Sequence, residues 1–341
     1  MPRRVTSMDV AREAGVSRAT VSMVLNGRAR GQVSPQMQQH VFDTARRLNY
    51  QPNQAALALR SQRTSTIGIV TDEIATKPFA GRMLRGAIER AEQRGLDAMI
   101  FDTDKSDQRT RSIYRRLVSR QVEGVLYMTM GLTTAHYSEA MTPFPHVFTN
   151  CEPSEEGVVP AVVPDDEGGA FAAVTHLIEC GHRRIAFLQG DEDTLAPKRR
   201  LAGMRRAFEE AGLTFTTERC LTRGWGIANG HHATIELMRS FPDTTAIFCV
   251  NDRVAVGAYL ALASMGLRVP QDVSIVGYDD EPEVANLMVP PLTTVALPHR
   301  DMGEYSVDVL LDQLAGKTVR ESLVRVMCPL IQRASVAPPR E

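Results

Sequence analysis

Apolar residues in the first fifty positions recur at three- and four-residue steps: Val10, Ala14, Val21, Val24 and Leu25, then Val41, Ala45 and Leu48. That spacing draws one apolar stripe on each of three short helices and predicts a small shared core. Capping chemistry sets the limits. Thr6, with Asp9 three residues on, opens a helix that runs to about Ala14; Gly15 ends it; Ser17 caps the next, which runs to about Asn26; Ser34 and Pro35 open the third. From Thr66 the pattern changes to short apolar runs alternating with longer amphipathic ones. STIGIVT, a helix from about Phe79 to Arg94, DAMIFDT, a helix near Arg109 to Arg120, GVLYMTM and HVFTN form one series. A second begins with PAVVP and continues through a helix over 167–180, RIAFLQG, a helix over 199–211, CLTR, a helix over 228–239, AIFCVND, a helix over 253–264 and SIVGYDD. Strands that are nearly all apolar, each followed by a helix, predict parallel sheets covered on both faces, and two series predict two α/β lobes. Such sheets bind ligands at the carboxyl ends of their strands, so the cleft between lobes is the expected pocket.

The first two helices and their short turn read as a helix-turn-helix. Arg18, Ala19 and Ser22 lie off the apolar stripe, at the part of the second helix that such modules present to base edges in the major groove. An ordinary helical hairpin would show the same pattern. Charge separates the two readings. Residues 1–63 hold ten arginines and three acidic residues, a net of +7, while the whole chain is at −1 and the remainder therefore at −8. Arginine contacts to phosphate supply sequence-independent affinity by counterion release, and here they are confined to the first fifth of the chain.

A length of 341 residues with 43% hydrophobic content suits two or three domains with real cores. The leader MPRRVTS has no apolar stretch behind it, and no apolar run reaches the ~18 residues of a membrane span, so a cytoplasmic protein is expected. Cys151, Cys180, Cys220, Cys249 and Cys328 are odd in number and lack a CxxC pair, which predicts reduced thiols. Neither GxGxxG nor GxxxxGK[ST] follows a predicted strand, which argues against a nucleotide-using enzyme. His182, in CGHRRIAF, reads as a helix-to-strand turn residue rather than a base, and no catalytic residue, metal or cofactor is expected.

AREAGVSRATVSMVLNG, VSPQ, LNYQPNQAALALR and RTSTIGIV, followed by GHRRIAFLQG, RRLAGMRRAFEEAG, FCVNDRVAVGAYLAL, VPQDVSIVGYDDEPE and PPLTTVALP, resemble the lactose/galactose repressor (LacI/GalR) family of bacterial transcription regulators over essentially the whole chain. The resemblance implies an all-α helix-turn-helix domain over 1–50, a hinge helix and linker over 51–65, and a periplasmic-binding-protein-like α/β core over 66–341 that binds ligand and dimerises. It implies a repressor that binds a pseudo-palindromic operator as a homodimer and whose operator affinity is controlled by a small molecule. The DNA-contacting positions it implies are Thr6, Ser17, Arg18, Ala19, Thr20, Ser22, Met23, Asn26, Arg28, Tyr50, Asn53, Ala56, Leu59 and Arg60, with Leu59 the minor-groove wedge and Arg18 the guanine reader. Leu57 and Leu59 would also suit packing under the core. Two positions depart from the family, where arginine is frequent: Met23 and Leu57. The turn GRARGQ is about two residues longer than usual and adds Arg28 and Arg30 near the phosphate backbone.

For the ligand, the resemblance implies Arg200, Trp225, Asn251 and Asp279 from the second lobe, and Asn150 and Phe79 from the first. Hydroxyl-bonding groups with one flat aromatic face suit a sugar. Without the resemblance, Asp279 and Asp280 equally fit a solvated strand-end turn and Trp225 a core aromatic. Asn150 stands where sugar-binding relatives often carry Asp, and KPF at 77–79 replaces NPF. The expected effector is a sugar or sugar derivative that releases the operator. A purine-type co-repressor is the alternative, and an exported solute-binding protein a third reading that lacks its export signal. The ending APPRE carries no heptad repeat, so a dimer rather than a tetramer is expected.

Overall fold

The computed structural model describes residues 5–50, 64–74, 80–155, 157–191, 194–317 and 322–340. The chain divides into two compact units, Met1–Ser65 and Thr66–Glu341. The hinge segment, with Asn53, Ala56, Leu57, Leu59 and Arg60, and Phe79 of the expected pocket lie outside the described residues.

The first unit contains α1 (Ser7–Glu13), α2 (Arg18–Leu25) and α3 (Pro35–Arg47). Each begins where its cap predicts. Thr6 and Asp9 form a reciprocal capping box, Ser17 Oγ accepts from the Thr20 amide at 3.0 Å, and Ser34 Oγ accepts from the Met37 amide at 3.3 Å. Gly15 takes a φ of +65° in the turn between α1 and α2. Val10, Ala14, Val21, Val24, Val41 and Ala45 are buried together, and Ala29, from the long turn, is buried with them.

In the second unit, one sheet has the order β11-β5-β4-β3-β1-β2: β1 is Thr66–Thr71, β2 Asp97–Asp102, β3 Val125–Ala135, β4 His146–Pro153, β5 Ala161–Pro164 and β11 Leu323–Val326. All its pairings are parallel. The other sheet has the order β12-β10-β9-β8-β6-β7: β6 is Ile185–Gln189, β7 Cys220–Thr222, β8 Ala246–Cys249, β9 Ser274–Asp279, β10 Thr293–Ala296 and β12 Leu330–Ile331. It is parallel except for β12, which runs antiparallel to β10. The helices are α4 (Gly81–Gln93), α5 (Asp107–Ser119), α6 (Asp166–Glu179), α7 (Leu195–Glu210), α8 (Ile227–Ser240), α9 (Asp252–Ser264) and α10 (His299–Leu314).

One assignment is corrected. PAVVP, read as opening the second series, is β5 of the first sheet, paired through Phe148↔Ala161 and Thr149↔Val162. A short strand buried at every residue carries no local mark of which sheet it joins. The alternation read from the sequence stops at Asp280, yet the chain continues through β10 and then returns: α10 packs on α4, β11 completes the first sheet, and β12 completes the second. Three connections therefore join the lobes, after β5, before α10 and between β11 and β12.

Close helix crossings rest on glycine. A Cβ on Gly86 would lie 2.1 Å from the Arg300 carbonyl oxygen and one on Gly303 2.1 Å from that of Met83, so α4 and α10 touch backbone to backbone. The α8–α9 crossing repeats the device, with Gly257 facing the Ile227 carbonyl at 2.1 Å and Gly230 that of Val254 at 2.2 Å. Gly257→Ala is expected to destabilise the protein by about 1 to 3 kcal/mol through overpacking, read as a lower urea midpoint.

Candidate functional site

In the helical unit, the side chains at the start of α2 face solvent. Ser17, Arg18 and Ala19 are exposed, as are Thr6, Asn26 and Arg28, whereas Thr20, Ser22, Met23 and Tyr50 are half-buried. Several polar groups of the set are already engaged: Thr20 Oγ1 lies 2.9 Å from Ser17 Oγ, and Asn26 Nδ2 donates to the Ser22 carbonyl at 2.7 Å. Met23 packs against the three-helix core. Arg12 and Arg47 pair with Asp9 and Glu13 at 2.8 and 2.9 Å. Arg18, Arg28 and Arg30 are exposed and have no acidic partner among the described residues, so their charge is available to phosphate or guanine. Burial of Ala29 pins the long turn from within, and Arg28 and Arg30 flank it on the outside.

In the α/β unit, a cavity of about 630 Å³ lies between the lobes where the strand ends converge. Asp72 follows β1, Asn150 lies in β4, Pro164 ends β5, Asn251 follows β8, Asp279 ends β9 and Leu297 follows β10. Arg200, Trp225, Asn251, Asp279 and Asn150 all line this one chamber.

Arg200 is its electrostatic centre. Its guanidinium is buried, donates from Nε to Asp166 Oδ1 at 2.7 Å and from Nη1 to the Val250 carbonyl, and lies 3.6 Å above the Tyr278 ring. Asp279 Oδ1 is 3.9 Å from Nη1. Burial opposes the guanidinium's charge, but Asp166, Tyr278 and Asp279 more than restore it, so the Arg200 pKa moves upward. Burial pushes the Asp279 carboxyl well above the ordinary carboxylate range, with Arg200 offsetting part of the effect. Asp279 also holds a φ of +111°, and its neighbour Asp280 one of +48°, a strained pair at the end of β9.

Asn150 sits at φ +60° and donates through Nδ2 to the carbonyls of Thr129 and Met130, both at 3.1 Å. Those carbonyls belong to the irregular stretch of β3, where the register shifts between Met128 and Thr133. An Asp at this position could not donate to them, which accounts for Asn here. Asn251 caps α9, accepting from the Val254 amide at 2.7 Å, and its Nδ2 donates to the Trp225 carbonyl at 3.1 Å. Its polar atoms therefore hold the fold and Trp225 in place. Trp225 packs on Gly190, where a Cβ would come within 2.8 Å of the indole, and contacts the cores of both lobes. It is at once a cavity wall and a core aromatic. Arg199 and Glu152 pair across the lobes at 2.5 Å.

Residues 6–53 match the bacterial regulatory proteins of the lacI family, and residues 174–336 match the periplasmic binding protein-like domain. Catabolite control protein A of Priestia megaterium is 32% identical over 324 residues, covering 94% of this chain and 96% of that protein. The chain belongs to the lacI family of bacterial regulatory proteins. Another lacI-family relative, the ribose operon repressor of Escherichia coli (strain K12), is 33% identical over 335 residues, covering 97% and 99% of the two chains. Among solved structures, the lac repressor dimer bound to operator and the anti-inducer ONPF aligns with a TM-score of 0.80 at 27% identity, covering 98% of this chain and 100% of that one. The transcriptional regulator CelR–cellobiose complex aligns with a TM-score of 0.67 at 30% identity, covering 97% and 100%. The protein is thus a DNA-binding transcriptional regulator with an effector-binding domain of the periplasmic-binding-protein kind.

His182 is buried and bonded to Thr245 Oγ1, Ser274 Oγ and the Ala337 carbonyl at 3.0, 3.1 and 2.9 Å, a structural turn residue as its sequence context predicts. All five cysteines are free thiols. Among the described residues, no helix is long and apolar enough to cross a membrane. Sequence reasoning missed Asp72, Asp166, Tyr278 and His299. Asp72 could have been found, because it directly follows the apolar run TIGIVT, where a strand-end ligand residue is expected.

Asp252, at the first turn of α9, fixes the Asp279–Glu281 turn. Its Oδ2 accepts from the Glu281 amide at 2.7 Å and its Oδ1 from Thr294 Oγ1 at 2.6 Å. Burial pushes this carboxyl up to about 7, against those two bonds. A carboxyl raised in the folded state binds its proton more tightly there, so stability is greatest below the unfolded value of about 4 and falls as pH rises towards 7. In Asp252→Asn, Oδ1 can accept from Glu281 while Nδ2 donates to Thr294. The variant should gain stability relative to wild type between about pH 4 and 7, measured by urea titration at several pH values.

Proposed function

We propose that the protein is a transcriptional repressor that binds a pseudo-palindromic operator as a homodimer and releases it when a small carbohydrate occupies the cavity between the lobes. The observation that carries the reading is the cluster in that cavity: a buried guanidinium, two buried carboxylates at strand ends and a tryptophan face, a set that bonds vicinal hydroxyls and stacks on the apolar side of a sugar ring. Two relatives lend support, one named for the ribose operon and one solved with cellobiose. The dimer follows from geometry, since one three-helix unit reads a half-site and two related units read a palindrome. No catalytic role is assigned to the cavity, and the protein acts in the cytoplasm.

Release requires only that the ligand bind one arrangement of the lobes better than the other. Coupling of ~1 to 3 kcal/mol changes operator affinity ~5- to 150-fold. The fluorescence of Trp225, the chain's one tryptophan, read against a panel of sugars and sugar alcohols, should identify a ligand. That ligand should weaken a gel shift on the upstream region of the protein's own gene. Arg200→Ala and Asp279→Ala should lose the fluorescence response. A ligand that strengthens the shift would replace release by co-repression.

On the DNA side, Arg18 reads a base through a bidentate contact worth ~1 to 3 kcal/mol of discrimination. Selection of binding sites from random duplexes should therefore return, for Arg18→Ala, a motif relaxed at one base pair per half-site. An unchanged motif would take the base contact away from Arg18.

A further inference from the structure

Three carboxylates of the interlobe cavity keep oxygens that accept no hydrogen bond among the described residues. Asp72 lines it from the first lobe, 7% exposed, with Oδ1 accepting from the backbone amides of Glu73 at 2.6 Å and Met130 at 3.0 Å. Its Oδ2 receives no hydrogen bond among the described residues. Asp279 lines the cavity from the second lobe, also 7% exposed, and its carboxylate accepts no hydrogen bond among the described residues, its nearest cation being Arg200 at 3.9 Å. Asp166 Oδ2, on a side chain that is fully buried, is likewise without a partner there.

Each cation among the described lining residues is already neutralised by a carboxylate of the protein. Arg200 is held by Asp166 and the Val250 carbonyl. Arg253 is held by both carboxylate oxygens of Glu281, at 3.0 and 2.8 Å, and Lys105 lies 2.5 Å from Glu73. Burial without a dedicated cation pushes the carboxyls of Asp72 and Asp279 upward. A hydroxyl or ammonium donor from a ligand relieves that cost, and a further anion adds to it.

We infer that Asp72 is a specificity-determining residue which, with Asp279, restricts the effector to neutral or amine-bearing carbohydrates and rejects their phosphate esters and uronic acids. The inference rests on the reading of the cavity as a carbohydrate site and adds the charge class of its ligand. A phosphate or carboxylate would enter a chamber with a buried carboxyl on each lobe and, among the described residues, no buried cation that lacks a carboxylate of its own. Asp72→Asn provides a directed test. Oδ1 must keep the Glu73 and Met130 amides, so Nδ2 takes the place of Oδ2 in the cavity and a donor replaces an acceptor.

The experiment is a Trp225 fluorescence titration of the full-length protein with paired neutral sugars, amino sugars, phosphate esters and uronic acids. Wild type should bind a neutral or amino member at least about 100-fold more tightly than its anionic partner. Asp72→Asn should bind the neutral member roughly tenfold more weakly and narrow the gap to the anion from both sides. An anionic member that binds wild type as tightly as its neutral parent overturns the inference while leaving carbohydrate sensing intact. An unchanged neutral affinity in Asp72→Asn removes Asp72 from the role. Binding of no sugar of any class sinks both this inference and the carbohydrate reading. Should Asp72→Asn fail to fold, judged by its melting curve, the wild-type comparison still decides the charge rule and Asp72→Ser replaces the variant.

Discussion

A single buried guanidinium organises the effector domain. Arg200 comes from α7, Asp166 from the start of α6, the Val250 carbonyl from the end of β8, and Tyr278 and Asp279 from the end of β9, so one side chain ties four segments at the point where the second sheet meets the cavity. Burying such a charge is costly unless its partners are fixed in place, and breaking a buried pair typically costs about 3 to 5 kcal/mol. The fixing is visible around it. Asp252 holds the turn after β9, and the strained φ values of Asp279 and Asp280 persist because that turn is bonded to α9 and, through Arg333 and Asp280 at 2.7 Å, to the chain's final segment. The cavity is therefore lined by groups that hardly reorganise to receive a ligand, which favours affinity.

The lobes themselves meet through a few packed side chains. Trp225 packs against both cores, Ala196 of α7 is buried in a cluster otherwise built from first-lobe residues, and Arg199 meets Glu152 across the gap. These contacts join the lobes on the cavity side, where a ligand would add its own. Packed interfaces of this kind favour discrete arrangements over gradual deformation.

What the sequence made legible follows from the range of the interactions involved. The three helices of the first unit were readable to within a residue or two because Thr6, Ser17 and Ser34 act over three positions. The parallel strands were readable from their apolar runs. The destination of PAVVP was not, since β5 owes its place to β4 and to β11, more than 150 residues later in the chain. The cavity shows the same division. Arg200, Trp225, Asn150 and Asp279, picked out by the family resemblance, line one cavity, but that Asn251 spends both polar groups inside the protein, and that Asn150 answers two β3 carbonyls, depends on contacts that spacing does not encode. Asp166 was hidden for another reason: within DDEGG it reads as an ordinary acidic helix start, and only the fold brings Arg200 to it.

The three connections between lobes also set an order for biosynthesis. The helical unit occupies the first 65 residues and can fold soon after it leaves the ribosome. The first lobe cannot: five of its strands are complete by Pro164, but its packing against α4 awaits α10, and its outer edge awaits Leu323–Val326. Throughout that interval a DNA-reading head precedes a regulatory body that is still unfinished, and β5 offers an unpaired edge on which a nascent chain could associate wrongly. Fragments cut between the lobes inherit the same defect. Neither lobe is a contiguous stretch of chain, so the effector domain has to be made, and degraded, as one piece.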